Sequence, residues 1–317
     1  MRNFIFLFIL LLSFFSSKLT AEVTAVYPNR PVRIVVPFVA GGGTDIVARA
    51  VAQKLSVRFS KQFVVDNRPG AGGAVGLDIM RVAVPDGYTL MLLSGSVIAS
   101  RNLYKVKPTN LAPIALVSSQ PYVLLVHAGL PVNSFAELLT LVRSKPNSII
   151  YGSSGAGGMQ HLTGTLLAQK AKAEMLHIPY KGGGQVIVDL ISGQVQVAFL
   201  NPIGAETYIK EGRVRGLAVT SGKRSTSFPN LPSMSELVPG FDVSNWYAIV
   251  APDGIPKSIV DLLNKSIAAI MLEPDIKNKL EKEGADLTVG TPAALGALMA
   301  SENNRWSEVI TKANLRP

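Results

Sequence analysis

The chain has 317 residues, which is long enough for one large or two ordinary folded domains. Of these residues 48% are hydrophobic and 16% are charged, a composition that excludes a disordered protein. Its net charge is +10, but the Lys and Arg residues are dispersed and only 7% of residues are aromatic, which argues against nucleic-acid binding. The absence of cysteine excludes disulfides, thiolate catalysis and cysteine-based metal sites.

The first 25 residues have the pattern of a secretory signal peptide. Arg2 gives the positive start, residues 4–15 are apolar apart from Ser13, and Val23-Thr24-Ala25 fits cleavage after Ala25, with a cut after Ala21 as the alternative. The apolar run is shorter than the ~20 residues of a membrane-spanning helix. We therefore expect an exported chain that is soluble in the bacterial periplasm.

After this segment, strand patterns alternate with amphipathic helix patterns. The predicted strands are Val32–Val36, Phe63–Asp66, Thr89–Leu93, Ile114–Val117, Val123–Val126, Ile149–Tyr151, Met175–Ile178, Val195–Leu200, Leu217–Thr220 and Tyr247–Ala251. The clearest predicted helix starts are Thr44-Asp45, Ser134 with Glu137 completing a capping box, Ser258, and Thr291-Pro292. The alternation predicts an α/β fold with mostly parallel sheets covered on both faces.

The loop after the first strand is the most informative segment. Gly41-Gly42-Gly43 forms a turn that leads into the helix beginning at Thr44-Asp45. Such a turn exposes backbone N–H groups at the positive end of a helix and can hold an anion without a cationic side chain. The loop therefore predicts binding of a negatively charged ligand. Thr44 and Asp45 can contact that ligand or can serve only to cap the helix.

Three further loops after strands are rich in glycine and serine: Ser94-Gly95-Ser96, Gly152–Gly158, and Pro179–Gly184. Ligands of parallel α/β sheets bind at the carboxyl ends of strands, where such loops lead into helices. The distance between these loops in the sequence predicts a site assembled from two halves of the chain.

Catalytic motifs are incomplete, so we expect no enzyme activity, no metal and no cofactor. The segment from Gly152 to Ala156 is close to the G-x-S-x-G turn of serine hydrolases, but Ala156 replaces the final glycine. The histidines are His127, His161 and His177, and no acidic partner completes a triad with them. A serine hydrolase remains the weaker alternative.

Several segments in order resemble the Bug family, the TctC-like substrate-binding proteins of tripartite tricarboxylate transporters. They are Tyr27–Pro31, Pro37–Asp45, Asp66–Gly73, Pro85–Leu90, Tyr151–His161, His177–Gly182, Gly193–Val195, Arg215–Thr220 and Trp246–Pro256. Each motif alone is weak, whereas their number and order across the mature chain make the resemblance specific.

This resemblance implies a two-lobed periplasmic binding protein of the Venus-flytrap, type II-like class. Lobe one comprises residues 26–119 and 221–317, lobe two comprises residues 120–220, and the hinge lies near 117–123 and 219–221. The implied function is capture of a small carboxylate by a monomer that delivers it to membrane transporter subunits. The alternative is a carboxylate sensor that reports to a sensor protein, or an orphan binding protein.

Positions that match the family motifs give the expected ligand-binding residues: Phe38, Ala40, Gly41, Gly42, Gly43, Thr44, Asp45, Ser94, Ser96, Ser153, Ser154, Gly155, Gly157, His161, Tyr180, Lys181 and Asn201. Structural roles are the alternatives for His161 and Tyr180, and full solvation is the alternative for Lys181. Two departures put the ligand in question: Val97-Ile98-Ala99 replaces a loop that often carries His or Thr, and Leu200 stands where Asp often precedes Asn.

Overall fold

The computed structural model describes residues 27–104, 109–180, 182–282, 286–287 and 289–316. The predicted signal peptide and Lys181 lie outside these ranges. The strands are β1 (Val32–Val36), β2 (Phe63–Asn67), β3 (Thr89–Ser94), β4 (Leu111–Pro121), β5 (Val123–His127), β6 (Ile150–Ser153), β7 (Leu176–Pro179), β8 (Val197–Leu200), β9 (Val214–Val219), β10 (Ser244–Pro252) and β11 (Asp286–Leu287). The helices are α1 (Gly43–Phe59), α2 (Ala74–Val82), α3 (Gly95–Leu103), α4 (Phe135–Ser144), α5 (Met159–Ala171), α6 (Gly183–Ser192), α7 (Pro202–Lys210), α8 (Lys257–Met271), α9 (Pro274–Lys282) and α10 (Pro292–Lys312).

Two sheets organise these elements, and each is the centre of one lobe. Lobe one is built on a six-stranded sheet in the order β11-β4-β10-β3-β1-β2, and lobe two on a five-stranded sheet in the order β7-β6-β8-β5-β9. Helices flank both sheets, which confirms the predicted two-lobed α/β class. The boundaries predicted for the lobes stay a prediction.

The sheets are mixed, whereas the alternation of strands and helices predicts mostly parallel ones. Strand β1 is parallel to β2 and β3, and β6 is parallel to β7 and β8. Strand β10 is antiparallel to β3 and β4, and β5 is antiparallel to β8 and β9. The antiparallel strands lie where the chain passes between sheets: β4 leads directly into β5 across Tyr122, without the helical crossover that parallel neighbours need.

The central strands are buried on both faces, and the last helix packs against hydrophobic clusters of both lobes. Residues 90–93 of β3 are fully buried, as befits a strand covered on both faces. Near the start of α10, Leu295 packs with Trp246 and other residues of lobe one. Near its end, Trp306 and Val309 pack with Phe135 and other residues of lobe two. Helix α10 therefore connects the lobes in addition to the strands that cross between them.

The predicted helix caps are partly confirmed. The Ser134 hydroxyl accepts the Glu137 N–H at 3.2 Å, but the Glu137 carboxylate accepts the N–H of Asn133 instead of that of Ser134, so the predicted box is displaced by one residue. The last helix begins at Pro292 after Thr291, as predicted, and the Thr291 hydroxyl accepts the N–H of Ala294. The predicted cap at Ser258 is wrong, because α8 begins at Lys257, directly after Pro256, so that Ser258 lies within its first turn and no side chain caps the helix.

Candidate functional site

A cavity of about 320 Å³ lies between the two lobes. Lobe one and its crossing strand contribute Gly43, Ile46, Val47 and Gln120 to its wall. Lobe two contributes Gln160, Gly183, Gly184, Ile187, Leu200, Asn201 and Tyr208. None of these described lining residues carries a charged side chain, and most of the wall is apolar.

Four helices begin at this cavity. Gly43 is the first residue of α1, Gln160 is the second of α5, Gly183 and Gly184 open α6, and Asn201 is the N-cap of α7. Each helix N-terminus carries unpaired N–H groups and the equivalent of roughly half a positive charge. The cavity is therefore electropositive although its described lining side chains are neutral.

The glycine turn before α1 presents its backbone as the sequence predicts. Gly42 is the N-cap, and the first bond of the helix runs from the Ile46 N–H to the Gly42 carbonyl at 3.0 Å. The N–H groups of Gly43 and Thr44 precede this bond and have no partner within the helix. The left-handed conformation that favours glycine occurs at Gly41, with φ of 85°, whereas Gly42 has φ of −81°.

Asp45 holds this turn in place. Its Oδ2 accepts the Gly41 N–H at 2.9 Å and Arg49 Nε at 2.8 Å, and its Oδ1 accepts Asn67 Nδ2 at 3.0 Å. The hydrogen bond from Arg49, reinforced by those from Gly41 and Asn67, lowers the pKa of the Asp45 carboxyl to about 2 in spite of its burial. Since Asn67 also donates to the Phe38 carbonyl at 3.1 Å, Asp45 ties the loop to the end of β2. These bonds give Asp45 a scaffold role.

In lobe two, the loop before α5 is closed by its own hydrogen bonds. The Ser153 hydroxyl lies 2.9 Å from the Gly155 carbonyl and 2.7 Å from His177 Nε2, and His161 Nδ1 accepts the Gly157 N–H at 2.9 Å. The rings of His161 and His177 stack at 3.8 Å. Burial, and then the neighbouring His161, lower the pKa of His177 to about 4. Both histidines are therefore neutral parts of the loop scaffold at neutral pH.

The contact between Ser153 and His177 resembles two members of a serine hydrolase triad. Ser153, however, is only 1% exposed, so a substrate does not reach its hydroxyl. No carboxylate bonds to His177 in the described part of the chain, which leaves the imidazole without the orienting acid of a triad.

The structure brings two of the predicted residues to the cavity wall, namely Gly43 and Asn201. The others with a described position are not among the lining residues; they lie at strand ends, in the loops that follow, or in the first three residues of the next helices: Phe38, Ala40, Gly41, Gly42, Thr44, Asp45, Ser94, Ser96, Ser153, Ser154, Gly155, Gly157, His161 and Tyr180. Among them, Ser94 bonds Ser96 at 2.7 Å, and the Tyr180 hydroxyl donates to Asp189 Oδ2 at 2.7 Å. Burial and the hydrogen bond with Asp189 raise the pKa of Tyr180 to about 12.

Sequence reasoning missed the two glutamines and most of the apolar wall. Gln120 lies on β4 inside the predicted hinge segment, and Gln160 follows the glycine-rich loop, where its Oε1 accepts the Ser154 N–H at 2.8 Å. Ile46 occupies the first turn after the glycine loop. The sequence did contain a signal for Gln120. It lies in the predicted hinge segment, and the residues that cross between two lobes border the cleft between them.

Over the described ranges, no group of three or more His, Asp or Glu side chains has a metal-binding arrangement. No helix within those ranges has both the length and the apolar character to cross a bilayer.

The family model described as the tripartite tricarboxylate transporter family receptor, TctC, matches residues 47–315. The chain belongs to this family.

Three solved structures are similar to it over at least nine-tenths of both chains. Rhodopseudomonas palustris Rpa4515 with adipate is 33% identical over 92% of this chain and 99% of its own, with a TM-score of 0.79. The periplasmic binding protein BugD is 35% identical over 92% and 99%, with a TM-score of 0.76. MatC from R. palustris with bound malate is 28% identical over 90% and 100%, also with a TM-score of 0.76.

These similarities confirm the resemblance to the Bug and TctC proteins and the solute-binding fold. Receptors of this family are binding proteins, and the cavity between the lobes is the feature of this member that fits that role.

Proposed function

We propose that the protein captures a small carboxylate in the periplasm and delivers it to the membrane subunits of a tripartite tricarboxylate-type transporter. The observation that carries this proposal is the meeting of four helix N-termini at a cavity whose described lining side chains are uncharged. Helix N-termini favour negative charge, and backbone N–H groups are suitable donors to carboxylate oxygens. The adipate and malate held by the similar R. palustris structures support this ligand class.

The mechanism is capture followed by closure. A carboxylate docks on the free N–H groups at the start of α1, and lobe two then closes over it. The hinge comprises the segments near 117–123 and 219–221, between lobe one (26–119 and 221–317) and lobe two (120–220). Closure follows binding because the ligand contacts both lobes only in the closed form and therefore stabilises that form. The closed monomer is the form that the membrane partner recognises.

A thermal-shift screen of carboxylates, amino acids and inorganic anions tests the proposal. A ligand present at ~100 times its Kd adds about 2.7 kcal/mol to the free energy of unfolding, which is a readily measured rise in Tm. We expect at least one small carboxylate to give this shift without being chemically changed. A flat response to every carboxylate, or turnover of one of them, would contradict the proposal.

A pair of variants at Gly43 locates the site. Gly43→Asp and Gly43→Asn place nearly the same shape against the Tyr247 hydroxyl, which lies 3.2 Å from the position of a new Cβ. Only Asp places a negative charge at the start of α1. We expect Gly43→Asp to bind every carboxylate about tenfold or more weakly than Gly43→Asn does. Equal affinities would show that the carboxylate binds elsewhere.

A further inference from the structure

A second cavity lies behind the strand that crosses between the lobes. Its volume is about 1390 Å³, against about 320 Å³ for the cavity between the lobes, and no described residue lines both. On β4, Gln120 lines the cavity between the lobes and Ser119 lines the second one. Successive side chains of a strand point to opposite faces, so β4 separates the two cavities. We call the second cavity, which is lined by the loop 221–227 and by α9, the rear cleft.

The segments that cross between the lobes are tied together at the buried Thr220. Its hydroxyl accepts the Tyr122 N–H at 2.8 Å and donates to the Val243 carbonyl at 2.7 Å, and its backbone bonds the same two residues at 2.9 and 2.8 Å. Tyr122 follows β4 and Val243 precedes β10, and both strands belong to the sheet of lobe one. This tie fixes the axis of lobe rotation, so a rotation that widens the cavity between the lobes narrows the rear cleft.

The two walls of the rear cleft are attached to different lobes. The segment that begins with the loop 221–227 continues into the core of lobe two, where Met234 and Phe241 pack with Phe135. In contrast, Ile276 of α9 lies in the core of lobe one. The predicted lobe boundary gives the loop 221–227 to lobe one, whereas its attachment favours movement with lobe two. The inference below depends on that movement.

The walls carry opposite charges that are not used within this arrangement. Lys223 is exposed and forms no ion pair with any described residue, whereas its neighbour Arg224 is held by Glu236 through two bonds of 2.9 and 3.0 Å. On α9, the partner of Glu281 among the described residues is Lys277 at 3.8 Å, and both side chains are about half exposed. A lysine one turn before a glutamate is the weaker orientation of such a pair, and exposed pairs stabilise little. Lys223 and Glu281 are therefore available to each other.

We propose that the rear cleft is an electrostatic latch that stabilises the open, ligand-free form. As the lobes part, the rear cleft narrows and Lys223 approaches Glu281, while Asp242 and Lys277 form a second pair of opposite charges across it. Closure of the lobes over a ligand separates these charges again, which is why no ion pair of the described residues crosses the cleft in this structure. The latch keeps the cavity between the lobes accessible before capture, whatever ligand that cavity takes.

The distance between the lobes of the ligand-free protein gives the readout. The chain contains no cysteine, so two introduced cysteines are the only sites for thiol-reactive spin labels. Val57→Cys on α1 and Val188→Cys on α6 suit this purpose, because the native side chains are 75% and 63% exposed and belong to opposite lobes. Pulsed electron spin resonance then gives the ratio of short distances, from the closed form, to long distances, from the open form.

Charge variants on this labelled background test the latch. Loss of an exposed ion pair should raise the ratio of closed to open form about two- to fivefold in Glu281→Gln, and further in Glu281→Lys, which places two positive charges across the cleft. The exchanged pair Lys223→Glu with Glu281→Lys should return the ratio to that of the wild type. The matched control is Asp261→Lys, which makes the same change in charge on the surface of α8 outside the rear cleft and should leave the ratio unchanged.

Ionic strength gives a second test on the unmodified charges. At about 1 M salt the screening length falls to about 3 Å, which weakens pairs between exposed side chains. The labelled wild type should therefore shift toward the short distance in high salt, and Glu281→Gln should shift less. Urea denaturation checks that each variant is folded, which we expect because Lys223 and Glu281 are exposed.

The results separate this inference from the proposed capture of a carboxylate. Equal ratios in Glu281→Lys and Asp261→Lys, or a shift toward long distances, would overturn the latch. A shift in Glu281→Lys that the exchanged pair fails to reverse would overturn the pairing of Lys223 with Glu281. Because every measurement uses the ligand-free protein, each of these outcomes leaves carboxylate capture to its own thermal-shift test.

Discussion

Replacement of Asp45 by Asn should act mainly on the stability of the protein and not directly on ligand binding. The Asp45 carboxylate is 3% exposed and accepts hydrogen bonds from Gly41, Arg49 and Asn67. Its pKa falls from 3.8 to about 2, which at ~1.4 kcal/mol per unit corresponds to about 2 kcal/mol of preferential stabilisation of the charged form. Arg49 is 55% exposed, so solvent screens its share, and we expect a loss of roughly 1–2 kcal/mol in the free energy of unfolding.

Urea denaturation near neutral pH measures this loss, and Asp78→Asn is the matched control. Asp78 pairs with Arg81 at 3.1 Å on the surface of α2, where both side chains are exposed, so its replacement should cost less than about 0.5 kcal/mol. Because the folded-state pKa of Asp45 lies below its unfolded value, its contribution is complete above about pH 4 and is lost as the pH falls through about 2. The difference between wild type and Asp45→Asn should therefore shrink in acid. Abolished ligand binding with unchanged stability would refute the scaffold role and make Asp45 a ligand contact.

Two further predictions concern the loops of lobe two. In Gly157→Ala the new Cβ would lie 2.1 Å from Cδ2 of the buried Leu103. This variant should therefore lose about 1–3 kcal/mol more in the free energy of unfolding than Gly212→Ala, whose glycine has the same left-handed backbone but whose new Cβ would meet no atom within 4 Å. Equal losses in urea denaturation would contradict the close contact of this loop with α3. For His177, the folded-state pKa of about 4 lies below the unfolded value of 6.5, so the unfolded chain binds the proton first as the pH falls. The free energy of unfolding should therefore decline between pH 6.5 and about 4, and the share of the slope due to His177 should approach ~1.4 kcal/mol per pH unit. His177→Gln should remove this share, and an unchanged slope in that variant would contradict the lowered pKa of His177.

Much of the fold was predictable because most strands are continuous apolar runs bounded by turns. Val32–Val36 is predicted with the bounds that the structure has, since a buried strand followed by Pro-Phe and three glycines has clear limits. The mixed sheet order was not predictable from alternation alone, because it depends on where the chain crosses between lobes. The short strand Asp286–Leu287 carries no pattern, and it exists only through its pairing with Ser118 and Ser119.

The glycine turn was predictable as an exposed helix start, but most of the cavity wall was not. Gly43 lines the cavity because local sequence determines both the turn and the start of α1. Gln120 and Ile187 reach the same cavity only through the approach of the two lobes, which no local pattern contains. Ser153 and His161 are expected ligand contacts because they match the family motifs; in the structure the Ser153 hydroxyl lies 2.7 Å from His177 Nε2, and His161 Nδ1 accepts the Gly157 N–H.

The most direct test of the central claim is a crystal structure of the protein with the carboxylate that gives the largest thermal shift. We predict that a carboxylate oxygen lies within hydrogen-bond distance of the Gly43 and Thr44 N–H groups, inside the cavity between the lobes. A carboxylate held by lysine or arginine side chains outside this cavity would contradict the account.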